Sequence, residues 1–155
     1  MVFKTIGNKS NPVILFFHAM GVIGESSMPV AETMAEKYYC IMPTSTVYCP
    51  GQRYHSKRDE IQQVVRFLEK HGIKEIELVV ASSIGADLAM AFLTEAKIPV
   101  KHVFFDGGQF AQIGKTTRRI MVPFLYLAMK SLYGSKGKTL KRIMWCDDDK
   151  IKPYF

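Results

Sequence analysis

Five consecutive apolar residues, Val13-Ile14-Leu15-Phe16-Phe17, follow Pro12 and stop at His18-Ala19-Met20-Gly21. A strand with one wet face alternates apolar and polar side chains. A continuous run needs cover on both faces, as in a parallel sheet between layers of helix. The chain therefore has to supply helices for both sides of this strand.

The rest of the sequence reads in that rhythm. Ser26-Ser27 offers a helix N-cap, Pro29 suits a first turn, and Val30, Met34 and Tyr38 recur at helical spacing. Tyr39-Cys40-Ile41-Met42 reads as a second strand ended by Pro43, followed by a polar loop from Thr44 to Lys57 containing Pro50-Gly51. Ile61, Val64, Val65 and Leu68 form one helical stripe, with Gly72 as a natural C′ residue. Ile76 to Ala81 predicts a third strand, and Ser83 to Ala96 a third helix burying Leu88, Ala89, Phe92 and Leu93. Val103-Phe104-Phe105 predicts a fourth strand, closed by Asp106-Gly107-Gly108. Strands alternating with helices predict an α/β fold: a mostly parallel sheet with helices on both faces.

After Gly108 the rhythm breaks. Thr117 to Tyr133 reads as helix interrupted by Pro123, and a loop at Gly134 to Gly137 leads to a second helical piece from Thr139 to about Asp147. Charge divides at the same place. Residues 1–106 carry 11 basic and 11 acidic side chains, whereas residues 107–155 carry 10 and 3, so the whole net charge of +7 belongs to the later segment. Two parts are expected, residues 1–108 as a core and 109–155 as a helical segment. A neutral body without aromatic residues interleaved on a basic face argues against a nucleic-acid partner. The longest apolar run, Ile120 to Met129, falls well short of the roughly 20 residues that span a bilayer. No signal peptide is visible, and Cys40, Cys49 and Cys146 lack metal or redox spacing, so a reducing, cytoplasmic setting is the default.

The chemistry sits where the third strand meets its helix, in Val79-Val80-Ala81-Ser82-Ser83-Ile84-Gly85-Ala86. This is the pattern G-x-S-x-G with Ala at the first position, in the strand–turn–helix context the motif requires. So sharp a turn needs small residues two before and two after its central serine. Ala81 and Gly85 fit Ser83, whereas Val80 and Ile84 do not fit Ser82. The helix start offers the Ile84 N–H and the positive dipole end to a developing oxyanion.

With His18-Ala19-Met20-Gly21 after the first strand, this segment resembles the α/β hydrolases over residues 12–108. The loop looks like the H-G-x-G oxyanion loop of that superfamily, with Ala in place of the first Gly. The resemblance implies an incomplete α/β-hydrolase fold, with Ser83 as nucleophile and the Ile84 and Met20 N–H groups as oxyanion-hole donors. It makes His18 structural and residues 109–155 a helical cap or the beginning of one. Asp106, at the end of a strand on the correct edge, corresponds to a position that serves as the acid in a minority of the superfamily.

A general base is missing from this picture. The superfamily places its histidine after two further strands, whereas His18, His55, His71 and His102 all come earlier. Of these only His55, in a carboxyl-edge loop, is placed to approach Ser83. The Asp147-Asp148-Asp149 run does not converge on a metal, and no cofactor is implied. The expected function is hydrolysis of a carboxylic ester or related small acyl substrate through an acyl-serine intermediate, in a chain read as truncated. A non-catalytic binding or interaction module is the alternative. An exposed sheet edge near Phe104, or the cap helix, would favour self-association.

Overall fold

The computed structural model describes residues 1–108 and 114–134. Five strands, β1 (Val2–Ile6), β2 (Val13–Phe17), β3 (Tyr39–Thr44), β4 (Ile76–Ser82) and β5 (Val100–Asp106), form one sheet in the order β1-β3-β2-β4-β5. Every neighbouring pair is parallel except β1 with β3. Helices α1 (Met28–Met34), α2 (Lys57–Lys70) and α3 (Ile84–Glu95) alternate with the strands, and α4 (Lys115–Gly134) follows them. The fold is therefore α/β with a mostly parallel sheet. The sheet and α1–α3 belong to one compact unit and α4 to another, which is described by itself.

The β2 run explains itself at this level. Val13, Leu15 and Phe17 pack with Ile61, Val64 and Leu68 of α2 and Ala86, Ala89 and Phe92 of α3. Ile14 and Phe16 join Ala31 of α1, Cys40 and Met42 in a second core on the other face. Each apolar residue has a helix layer to bury against, so the strand needs no polar alternation.

Helix ends follow local chemistry. The Ser56 hydroxyl caps α2 by accepting from the Asp59 N–H at 3.1 Å. Its other end closes with Ile73 N–H on the Leu68 carbonyl at 2.9 Å, and Gly72 turns with φ +69°.

The structure revises three expectations and adds a strand. Val30 is 53% exposed, and α1 is seated by Ala31 with Met28 and Met34 beside it. A seven-residue helix buries a narrow stripe, and the small Ala31 allows its close approach to the sheet. Strand β3 continues through Pro43 to Thr44. The parallel ladder to β2 ends at Leu15–Ile41, while β1 pairs with β3 from Cys40 to Thr44, so Pro43 interrupts no hydrogen bond to β2. Strand β1, which the sequence reading passed over, is a half-exposed antiparallel edge whose Phe3 ring stacks on Phe67 of α2 at 4.0 Å. Finally, α4 is one helix with Pro123 inside it, and Gly134 is its last residue. The predicted helix from Thr139, Cys146 and the Asp147–Asp149 run lie outside the described residues.

Candidate active site

Ser83 occupies the turn between β4 and α3, with φ +52° and ψ −118°. It is the only non-glycine residue at positive φ among the described residues. Such a conformation costs about 1–3 kcal/mol and persists only when the surroundings enforce it. Three contacts do so here. The Ser83 N–H donates to the Asp106 carbonyl at 3.0 Å, and the Ala86 N–H donates to the Ser83 carbonyl at 3.0 Å. The third is the seat of Gly85, where an added Cβ would lie 2.3 Å from the Phe17 carbonyl oxygen and 2.7 Å from that of His18. Glycine is thus required because α3 lands on the end of β2, the strand neighbouring the elbow strand. Ser83 is exposed at the turn, and Ser82 is half-buried.

Strands β2 and β4 are adjacent and parallel, with Phe17 opposite Ala81. The His18–Gly21 loop and the Ser83 turn therefore leave the same carboxyl edge side by side, where ligands bind open α/β sheets. Met20 and Ile84 are both exposed there, at 45% and 49%. Ile84 opens α3, so its N–H belongs to the first-turn donors that have no intrahelical acceptor.

The loop carrying Met20 is held by His18, expected to be structural, and by groups that sequence reasoning missed. The buried His18 ring accepts the Ser45 N–H at Nε2, 3.1 Å away, so its proton is on Nδ1, which donates to the Ala19 carbonyl at 2.8 Å. Burial lowers the His18 pKa and keeps the ring neutral. The Gly21 N–H donates to the Tyr48 hydroxyl at 2.8 Å, and the Tyr48 ring meets His18 edge-on at 5.5 Å. Next to Ser45, Thr46 gives both its N–H and its hydroxyl to the buried Glu60 carboxylate of α2. Ser45, Thr46 and Tyr48 sit in a polar loop with no motif. The signal available for them is Glu60, a carboxylate directly beside Ile61 of the α2 stripe.

Asp106 ends β5 on the expected edge but faces Ser82. The two are register partners, and the Ser82 hydroxyl donates to its carboxylate at 3.4 Å. Its tie to Ser83 is through the backbone carbonyl. All four histidines are described, and no hydrogen bond joins any of them to Ser83 among the described residues. His18 has both ring nitrogens engaged. His71 caps α2, and its Nδ1 donates to the Phe67 carbonyl at 2.8 Å. His102 lies opposite Leu78 in mid-strand, short of the carboxyl edge, and His55 is exposed ahead of α2.

Cys40 and Cys49 are buried free thiols, and burial pushes Cys40 up to about 11, so neither competes as a nucleophile. Among the described residues no group of three or more His, Cys, Asp or Glu could hold a metal. A groove of about 660 Å³ lined by Ile61, Val65, Arg66, Ala96 and Lys97 lies at the far end of α3 from Ser83.

Solved structures share the fold. An α/β hydrolase family protein from Desulfitobacterium hafniense superposes with a TM-score of 0.69 at 19% identity, over 77% of this chain and 49% of that one. MenH from S. aureus superposes with a TM-score of 0.69 at 16% identity, over 97% of this chain and 58% of that one. A structure reported with carboxylesterases of Nitrososphaera gargenis superposes with a TM-score of 0.68 at 12% identity, over 96% of this chain and 54% of that one. No family model matches the sequence, and no curated protein matches it.

The chain has the α/β-hydrolase fold, in incomplete form. It spans about half the length of the structures it matches. No helix among the described residues is long and apolar enough to cross a membrane.

Proposed function

We propose that Ser83 is the nucleophile of a serine hydrolase acting on a carboxylic ester or a related small acyl substrate. The observation that carries this reading is the strained Ser83 backbone at the tip of an exposed strand–helix turn, φ +52°. Strain of this kind is retained where a side chain must be presented. A structural neighbour reported with carboxylesterases supports the ester class.

In the proposed reaction the Ser83 Oγ bonds to the acyl carbon as its proton passes to a general base. The ester C–O bond then breaks, and the alcohol leaves with that proton. Water next attacks the acyl-serine, releasing the carboxylic acid and restoring the hydroxyl. The Met20 and Ile84 N–H groups would stabilise the oxyanion in both halves. The base would come from protein that this chain does not contain, since His18 is committed and no other histidine bonds Ser83. Asp106 serves through its carbonyl, which holds the elbow, rather than as the acid. The core would end at 108, with residues 109–155 as a cap, and β5 would offer a second copy an edge for pairing through Val103 and Phe104.

A fluorophosphonate probe tests this reading. With imidazole supplied as an exogenous base, wild-type protein is expected to be labelled, and Ser83→Ala is not. The orphaned serine, with no base among the described histidines, favours a second reading, a non-catalytic binding module on the same fold. Absence of labelling in the wild type would decide for it.

A further inference from the structure

We propose that α4 is a helix that lies on anionic membrane surfaces. Across its 20 residues, Lys115–Gly134, it carries Lys115, Arg118, Arg119 and Lys130 and no acidic residue. At 3.6 residues per turn all four cations fall within an arc of about 120°. The other side, an arc of about 160°, carries Ile120, Met121, Phe124, Leu125 and Leu127, with the uncharged Thr117 and Ser131 among them. The five apolar residues are not core residues, being exposed by 70%, 41%, 72%, 49% and 63% respectively. An exposed apolar face this large marks an interaction surface.

The occupant follows from the charge. A second copy of α4 would set four like charges against four and repel, and a protein groove would need an acidic rim around an apolar floor to match the helix. An anionic bilayer satisfies both sides of the helix at once. The apolar side chains enter the headgroup–acyl boundary, and the lysines and arginines, on long flexible stems, reach the phosphates. Val122 and Tyr126 lie among the cations and match the interface level, where aromatic and apolar groups are tolerated beside charge. The helix is amphipathic, so it lies in the membrane plane and does not span it.

Co-sedimentation of the full chain with vesicles tests the proposal. Vesicles of phosphatidylcholine with 30% phosphatidylglycerol are expected to bind the protein, and pure phosphatidylcholine vesicles much less. Each cation near such a surface contributes about fivefold in affinity, so Arg118→Gln with Arg119→Gln should weaken binding by about 25-fold. Phe124→Glu should abolish it. Exposed positions are chosen so that the sheet unit keeps its thermal transition, read in parallel by circular dichroism. Equal binding to neutral and anionic vesicles, or no binding to either, would overturn the proposal. So would concentration-dependent dimerisation that these substitutions abolish while vesicle binding stays absent, because α4 would then be a contact between copies.

Discussion

At the residue scale, the site depends on groups that fix backbone rather than on groups that react. His18 is the clearest case, since its neutral ring joins the Met20 loop to Ser45. Its folded pKa is below the unfolded value near 6.5, so the unfolded state takes up a proton first as the pH falls. This contribution is fully present above pH 6.5 and is lost as the pH drops toward the folded pKa. Urea midpoints of the wild type should therefore fall between pH 7 and pH 5 more steeply than those of His18→Gln. Parallel pH profiles for the two proteins would contradict this. The Ser83 position was legible from spacing alone, because only small residues tolerate so tight a turn. The role of Tyr48 was not legible, because a tyrosine in a motif-free loop gives no sign that it will accept the Gly21 N–H 27 residues away.

At the scale of elements, the strands were readable wherever burial on both faces made them continuously apolar, as in β2 and the Tyr39–Met42 part of β3. β1 escaped notice because an edge strand of five residues containing Lys4 has little pattern to show. The α1 stripe was misjudged for a related reason, since hydrophobic spacing marked Val30 while packing selected the smaller Ala31. Val30→Ala is accordingly expected to change stability by less than about 0.5 kcal/mol. Leu68→Ala, in the sealed face of α2, should cost about 2–5 kcal/mol. Chemical unfolding of both variants checks the pair, and equal losses would refute the assignment of faces. The contact of α3 with β2 gives a sharper test. Gly85→Ala gains helix propensity of about 1 kcal/mol but drives a Cβ into two carbonyl oxygens that cannot move independently. A net loss of at least about 2 kcal/mol is expected, and a stabilised variant would show that the elbow is looser than described.

At the scale of the whole molecule, the sheet unit brings the Ser83 turn and the His18–Gly21 loop to one edge, and no histidine bonds Ser83 among the described residues. The charge break near residue 107 was visible in the sequence, whereas the exposure of the α4 apolar face required coordinates. The central claim is that the fold presents Ser83, and not its neighbour Ser82, for acyl transfer. Mass spectrometry of the fluorophosphonate-treated chain tests this directly, by fragmenting the peptide that contains both serines. With imidazole supplied as an exogenous base, the adduct is expected on Ser83, in higher yield from folded than from unfolded protein. An adduct on Ser82, or equal yield from folded and unfolded protein, would contradict the account.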